Sequence, residues 1–116
     1  MDRLEALIKD LREFVSAREW SQFHDPKNLS MAVASEAGEL LAEYRWISNT
    51  EAEQLTNNPD RRDRIVAEAA DVGIALLLFC DRIGIDLVDV VRAKMETNSK
   101  NYPADKANGK AERPHR

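Results

Sequence analysis

Apolar residues recur at helical spacing through most of the chain. Leu4, Leu7, Ile8, Leu11, Phe14 and Val15 form one stripe with charged residues opposite, which predicts a packing helix over residues 2–19. The pattern breaks at Trp20-Ser21-Gln22-Phe23-His24. Pro26 pushes Asp25 out of helical geometry, so Asp25 is expected to cap a second helix with Pro26 in its first turn. That helix is predicted to run to Ile47, with Val33, Ala37, Leu40, Leu41 and Tyr44 facing a core and Trp46 near its end. Residues 48–60 read as a loop with one short helical turn at Thr50-Glu51-Ala52-Glu53. A third helix is predicted over Pro59–Ile83, charged in its first half and apolar nearly all round in its second. A helix apolar on every side is buried on every side, and a chain of this size has little to cover it with. It is therefore expected at a subunit interface, in a dimer or dimer of dimers. Gly84 ends it and Asp86 caps a fourth helix, with Leu87, Val88, Val91 and Met95 facing the core and Pro103 as a stop.

No strand-like alternation interrupts these helices, so the chain reads as an all-α four-helix bundle. Its 116 residues make one domain, expected over 1–103, with 104–116, including His115, a polar mobile tail. The net charge of −4 argues against a nucleic-acid partner, although a nucleotide accompanied by metal ions remains compatible with it. The longest apolar run, Val72 to Cys80, is too short to span a bilayer. Cys80 is the only cysteine and sits in that run, so it reads as a core residue of a protein in the reducing cytoplasm.

The candidate chemistry lies in acid pairs. Glu36 and Glu39 are one turn apart on the second helix, and Glu43 follows at the next i+4 step. Like charges on one stripe cost a few tenths of a kcal/mol per pair, roughly, and no Lys or Arg stands at positions 32, 35, 40 or 42 to offset them. Glu68 and Asp71 repeat the spacing on the third helix, with Arg64 the one nearby cation that could pair with Glu68. Acidic i,i+3 pairs are common on solvated faces. Two of them, each beside an apolar segment, match a hard-cation site in which Glu36, Glu39, Glu68 and Asp71 hold Mg2+ or Mn2+. Gly38, between the first two glutamates, suggests the close approach of another helix, a ligand or a partner chain. Trp20, Phe23 and His24 could plug the end of the bundle or form a wall on which a nucleobase stacks. Lys94 and Asn98 share a helix face and could hold phosphate oxygens or simply solvate a helix end.

A di-iron site would need Glu-x-x-His, and a His-Asp phosphohydrolase would need more histidines than this chain carries. Metal-dependent hydrolysis of a phosphoanhydride needs only oxygen ligands, water positions and a clamp for phosphates. On these motifs the sequence resembles the MazG-like all-α nucleoside triphosphate pyrophosphohydrolases, in the dCTP pyrophosphatase-like branch. The family's Glu-x-x-Glu, spacer, Glu-x-x-Asp signature falls on Glu36, Glu39, Glu68 and Asp71. Trp20-Ser21-Gln22-Phe23-His24 matches its Trp-x-Gln-Phe-His segment, and Trp46 matches a Trp after the first acid pair. Lys94, Met95, Asn98, Tyr102 and Pro103 match its closing motif. Ala75 and Leu11 depart from it, standing where the eukaryotic dCTP enzymes carry a tyrosine and a histidine.

The resemblance implies conversion of a (d)NTP, dCTP or a related dNTP, to the monophosphate and pyrophosphate in nucleotide-pool house-cleaning. It implies that Glu36 or Glu39 accepts a water proton beside magnesium. Trp20, Phe23, His24 and Trp46 would line the base pocket, in part on a neighbouring subunit, and Lys94, Asn98 and Tyr102 would hold substrate. It also implies a homo-oligomer, with a tetramer preferred to a dimer. The competing reading is a non-enzymatic helical interaction module, which would use the same apolar helix and need no metal.

Overall fold

In a computed structural model, which describes residues 1–111, the backbone groups into two compact units, Met1–Gly84 and Ile85–Arg116. The described residues form helices and turns with no strand. The first unit holds α1 (Arg3–Ala17), a single 3-10 turn at Ser21–Phe23, α2 (Pro26–Ala42), α3 (Asn49–Asn57) and α4 (Pro59–Ile83). The second holds α5 (Leu87–Asn101) and one helical turn, α6 (Ala104–Ala107), within the stretch expected to be a tail. The end of that stretch, with His115, lies outside the described residues.

Side chains set most of the boundaries. Asp2 caps α1 by accepting from the Glu5 amide at 2.8 Å, and Asp25 caps α2 by accepting from the Asn28 amide at 2.8 Å. Pro26 and Pro59 stand in the first turns of α2 and α4, and Asn58 caps α4 through the Arg61 amide. Gly84, at φ 74°, closes α4 in the left-handed conformation. Asp86 caps α5 through the Asp89 amide at 3.0 Å.

Helix α1 ends two residues short of the expected boundary. The Glu19 amide returns to Ser16 and the Trp20 amide to Val15, a Schellman closure, and Glu19 takes φ 53° to make it. The turn folds Trp20 back edge-on to Phe14, ring centroids 5.8 Å apart, while the Arg18 guanidinium lies over the Phe14 ring. A non-glycine residue in that conformation is strained by about 1 kcal/mol. Glu19→Gly should therefore raise the thermal midpoint; an unchanged or lower midpoint would show that the turn is not strained.

The larger differences lie between α2 and α4. Helix α2 stops at Ala42 instead of Ile47, and Glu43 to Trp46 form turns. The Tyr44 hydroxyl sits 2.6 Å from that of Thr56, and Glu43 faces Arg61 and Arg64 of α4. These contacts bend the chain where local spacing alone would continue a helix. Ser48 then caps α3 through the Glu51 amide at 3.2 Å, and nine helical residues replace the expected single turn. Ala52, Leu55 and Thr56 form its inward side, too few apolar positions to read as a stripe.

Helix α4 is the central element, packed mainly against α2 and also against α3 and α1. Residue pairing along the seam shows that α2 and α4 run antiparallel: Glu36 meets Glu68 and Asp71, and Glu43 meets Arg61 and Arg64. The buried hydrophobic residues are Val15, Leu29, Ile65, Ala75, Leu77 and Cys80. Burial of α4 on every side is not reached within the chain, because Val66, Ile74 and Ile83 remain exposed. Val88, Val91 and Met95 of α5, expected to face a core, are exposed too; a unit of one helix and one extra turn has little to cover them with. Among the described residues no helix is long and apolar enough to cross a membrane.

Candidate functional site

The stripe of α4 that faces α2 carries Arg61, Arg64, Glu68 and Asp71 at successive steps of three or four. Against it stand Glu36 and Glu39 of α2, with Glu43 just past its end. Glu36, Glu68 and Asp71 each bring one carboxylate oxygen within 4.8 Å of the others. Glu36 and Glu68 are half-buried and Asp71 is exposed. Glu39 is exposed and stands outside this trio, so three of the four expected carboxylates converge on one point. Its charge still reaches the cluster: burial first, then the charges of Glu39, Asp71, Glu36 and Glu43, push Glu68 above its ordinary carboxylate value.

The charge balance separates Glu43 from the others. Arg61 Nη2 lies 3.6 Å and Arg64 Nε 4.0 Å from Glu43 oxygens. Arg64 thus turns to Glu43 and leaves Glu68 alone. Among the described residues no Lys or Arg comes within ion-pair distance of Glu36, Glu39, Glu68 or Asp71. Converging carboxylates without a cation partner repel one another, and a hard divalent cation is the species whose ligand chemistry they fit.

One turn beyond Asp71, Ile74 and Leu78 of α4 form one wall of a cavity of about 330 Å3. Leu7, Leu11 and Phe14 of α1 form the opposite wall, and Trp20 and His24 close the end. Asp10 is the one carboxylate at its edge. The structure therefore brings Trp20 and His24 to one cavity. Phe23 and Trp46 are 59% and 87% exposed and do not line it. Lys94 and Asn98 lie in α5, and Tyr102 directly follows it, in the second unit.

Periodicity read Leu7 and Phe14 as an ordinary packing stripe and so missed them on the α1 side of this cavity; Leu11 alone was singled out there, by its departure from the family pattern. Sequence reasoning also missed the pair that braces α1 against α4, in which Arg12 Nε donates to both Asp81 carboxylate oxygens at 3.0 Å. No local signal links residues so far apart in the chain. Gly38, expected to mark a close approach, has no atom within 4 Å of where a Cβ would stand. Among the described residues nothing approaches Gly38 closely, so this face of α2 is open in the single chain. Cys80 is buried and its thiol is pushed up by burial, so it stays protonated and belongs to the core.

The MazG-like family matches residues 31–113. The chain is 37% identical over 111 residues to dCTP pyrophosphatase 1 of Mus musculus, covering 92% of this chain and 65% of that protein. It is 36% identical over 104 residues to dCTP pyrophosphatase 1 of Homo sapiens, covering 86% of this chain and 61% of that protein. It thus spans a little under two thirds of these curated relatives. Among solved structures, a pyrophosphatase from Archaeoglobus fulgidus superposes with a TM-score of 0.84 at 36% identity, covering 89% of this chain and 94% of that one.

Proposed function

From its place in the MazG-like family, to which this chain belongs, we propose that it is a magnesium-dependent nucleoside triphosphate pyrophosphohydrolase acting on dCTP or a related dNTP. The observation that carries this reading is the cation-free convergence of Glu36, Glu68 and Asp71, one turn along α4 from a cavity faced by Trp20 and His24. The names of the dCTP pyrophosphatase relatives support the reaction class.

When bound, a divalent cation, Mg2+ or Mn2+ in its place, would be held by Glu36, Glu39, Glu68 and Asp71 and would offset the charge of the triphosphate. Glu36 or Glu39 accepts the proton of the attacking water. The water oxygen bonds to the α-phosphorus, the bond to the bridging oxygen breaks, and pyrophosphate leaves with the electron pair. Trp20 and His24 seat the base, helped by Phe23 and Trp46 through a neighbouring subunit. Lys94, Asn98 and Tyr102 hold the substrate. The working form is a homo-oligomer, a tetramer in preference to a dimer, in the cytoplasm, with no nucleic-acid or membrane partner and residues 1–103 as its functional body.

A dNTP panel in 18O-water tests the reaction. Pyrophosphate and a monophosphate carrying the label are expected. Release of inorganic phosphate and a diphosphate would overturn it, and failure to bind magnesium with a non-hydrolysable dNTP would favour the interaction module.

The pH dependence follows from Glu68. A carboxylate raised in the folded state takes up a proton earlier on acidification, and its protonated form cannot serve as a hard-oxygen ligand. Magnesium affinity should therefore weaken on acidification before an ordinary glutamate would titrate. Calorimetry in buffers of different ionisation enthalpy should show proton release on magnesium binding that disappears in Glu68→Gln.

A further inference from the structure

The α4 stripe continues beyond the acids in the direction away from the cavity. In chain order it carries Arg61, Arg64, Glu68, Asp71, Ile74 and Leu78. At about 1.5 Å per residue, Arg64 lies about 6 Å along the axis before Glu68, and Ile74 about 4.5 Å after Asp71. The cavity, the acids and the arginines thus follow one another along a single line within the first unit.

The arginines are not fully used by the fold. Two guanidiniums share the single carboxylate of Glu43, leaving one positive charge in excess. Their separations of 3.6 and 4.0 Å exceed the usual 2.7–2.9 Å or so of a charge-assisted hydrogen bond. By contrast, Arg12 meets both oxygens of Asp81 at 3.0 Å. Arg61 Nε is buried with no acceptor. The Arg64 side chain is 60% exposed, while that of Glu43 is 15% exposed, so the guanidinium can turn outward without moving its partner. Arg61 also lies in the first turn of a 25-residue helix, where the helix dipole disfavours a cation.

Resting on the proposed reaction, we infer that Arg64, assisted by Arg61, binds the β- and γ-phosphates, the part of the substrate that leaves as pyrophosphate. A base in the cavity and an α-phosphate at the acids place the rest of the triphosphate toward the arginines. Glu43 holds the guanidiniums in the absence of substrate and gives up Arg64 to the phosphates. As the bond between the α-phosphorus and the bridging oxygen breaks, the charge gained by the departing pyrophosphate falls beside Arg64. This residue adds to Lys94 and Asn98 and is specific for one end of the substrate.

Arg64→Gln tests it, with binding read separately from turnover. In the presence of magnesium, the affinity for inorganic pyrophosphate should fall about ten-fold or more, the value of a hydrogen bond to a charged group. Affinity for the nucleoside monophosphate should not change, magnesium binding without nucleotide should not weaken, and KM for the triphosphate should rise. Arg64→Lys should recover part of the loss. Unchanged pyrophosphate affinity, or equal losses for pyrophosphate and monophosphate, would overturn the inference and return Arg64 to a structural ion pair. If the unaltered protein hydrolyses triphosphate but Arg64→Gln behaves as it does, only this inference fails. If the unaltered protein releases no pyrophosphate, the proposed reaction fails and takes the inference with it.

Discussion

Glu68→Gln should abolish most of the proposed pyrophosphohydrolase activity while leaving the metal-free protein as stable as before, or more so. Both effects come from the same environment. Glu68 sits where Glu36, Glu39, Asp71 and Glu43 all act on it, and no cation among the described residues pairs with it. A folded-state carboxylate raised above its unfolded value disfavours the fold as pH rises through its titration range. Without metal, the ionised side chain is therefore a liability, and the neutral amide removes it. For activity the sign reverses, because the ionised oxygen is what holds a hard cation, and a lost ligand costs about 10^3-fold or more in rate. Thermal melts without and with magnesium check both halves. The variant should melt at or above the parent without metal, with less dependence on pH between the acidic and neutral range, and should gain little when magnesium is added. A variant that melts well below the parent without metal would mean that Glu68 has a structural partner, and the cation-site argument would lose its footing.

How much could be read from the chain follows from where the deciding interactions lie. The start of α2 and both ends of α4 were legible because Asp25-Pro26, Asn58-Pro59 and Gly84 are local devices that cap or close a helix with their own neighbours. The nearness of Glu68 to Asp71 was legible for the same reason: spacing of three on a helix puts two carboxylates on one face whatever the tertiary structure. The inclusion of Glu36 and not Glu39 in the trio depends instead on how α2 packs on α4. The end of α2 was not, because Tyr44 with Thr56 and Glu43 with Arg61 and Arg64 bend the chain through contacts that exist only after folding. The partner of Arg64 was not legible, on similar grounds. Its neighbour in sequence is Glu68, but the antiparallel course of α2 brings Glu43 within 4.0 Å of it. The family assignment holds by both sequence and structure.

The second large effect expected is on assembly. Val88, Val91 and Met95 recur on one face of α5 and are 42%, 46% and 63% exposed. On α4, Ile83 is 43% exposed, and Trp46 after α2 is nearly bare. A chain with so few buried side chains gains little from its own core, and covering an apolar side chain of this size contributes about 1.5–3 kcal/mol. Association should supply what the single chain lacks, so the melting temperature should rise with protein concentration and light scattering should report a dimer or tetramer. Replacing Val91 and Met95 together by glutamate puts two charges on that face, and should reduce the mass to a monomer with a low, concentration-independent melt. Activity should fall with assembly, since Trp46 is proposed to reach the base from a neighbouring subunit. Gly38→Ala sharpens the test. Within the chain an added methyl meets nothing and replaces a weak helix former, which favours the isolated helix by about 0.5–1 kcal/mol. If that variant assembles less well or hydrolyses more slowly despite its better helix, the group approaching Gly38 is a partner chain or the substrate. If it is more stable and otherwise unchanged, that face of α2 is open and takes no part in the interface.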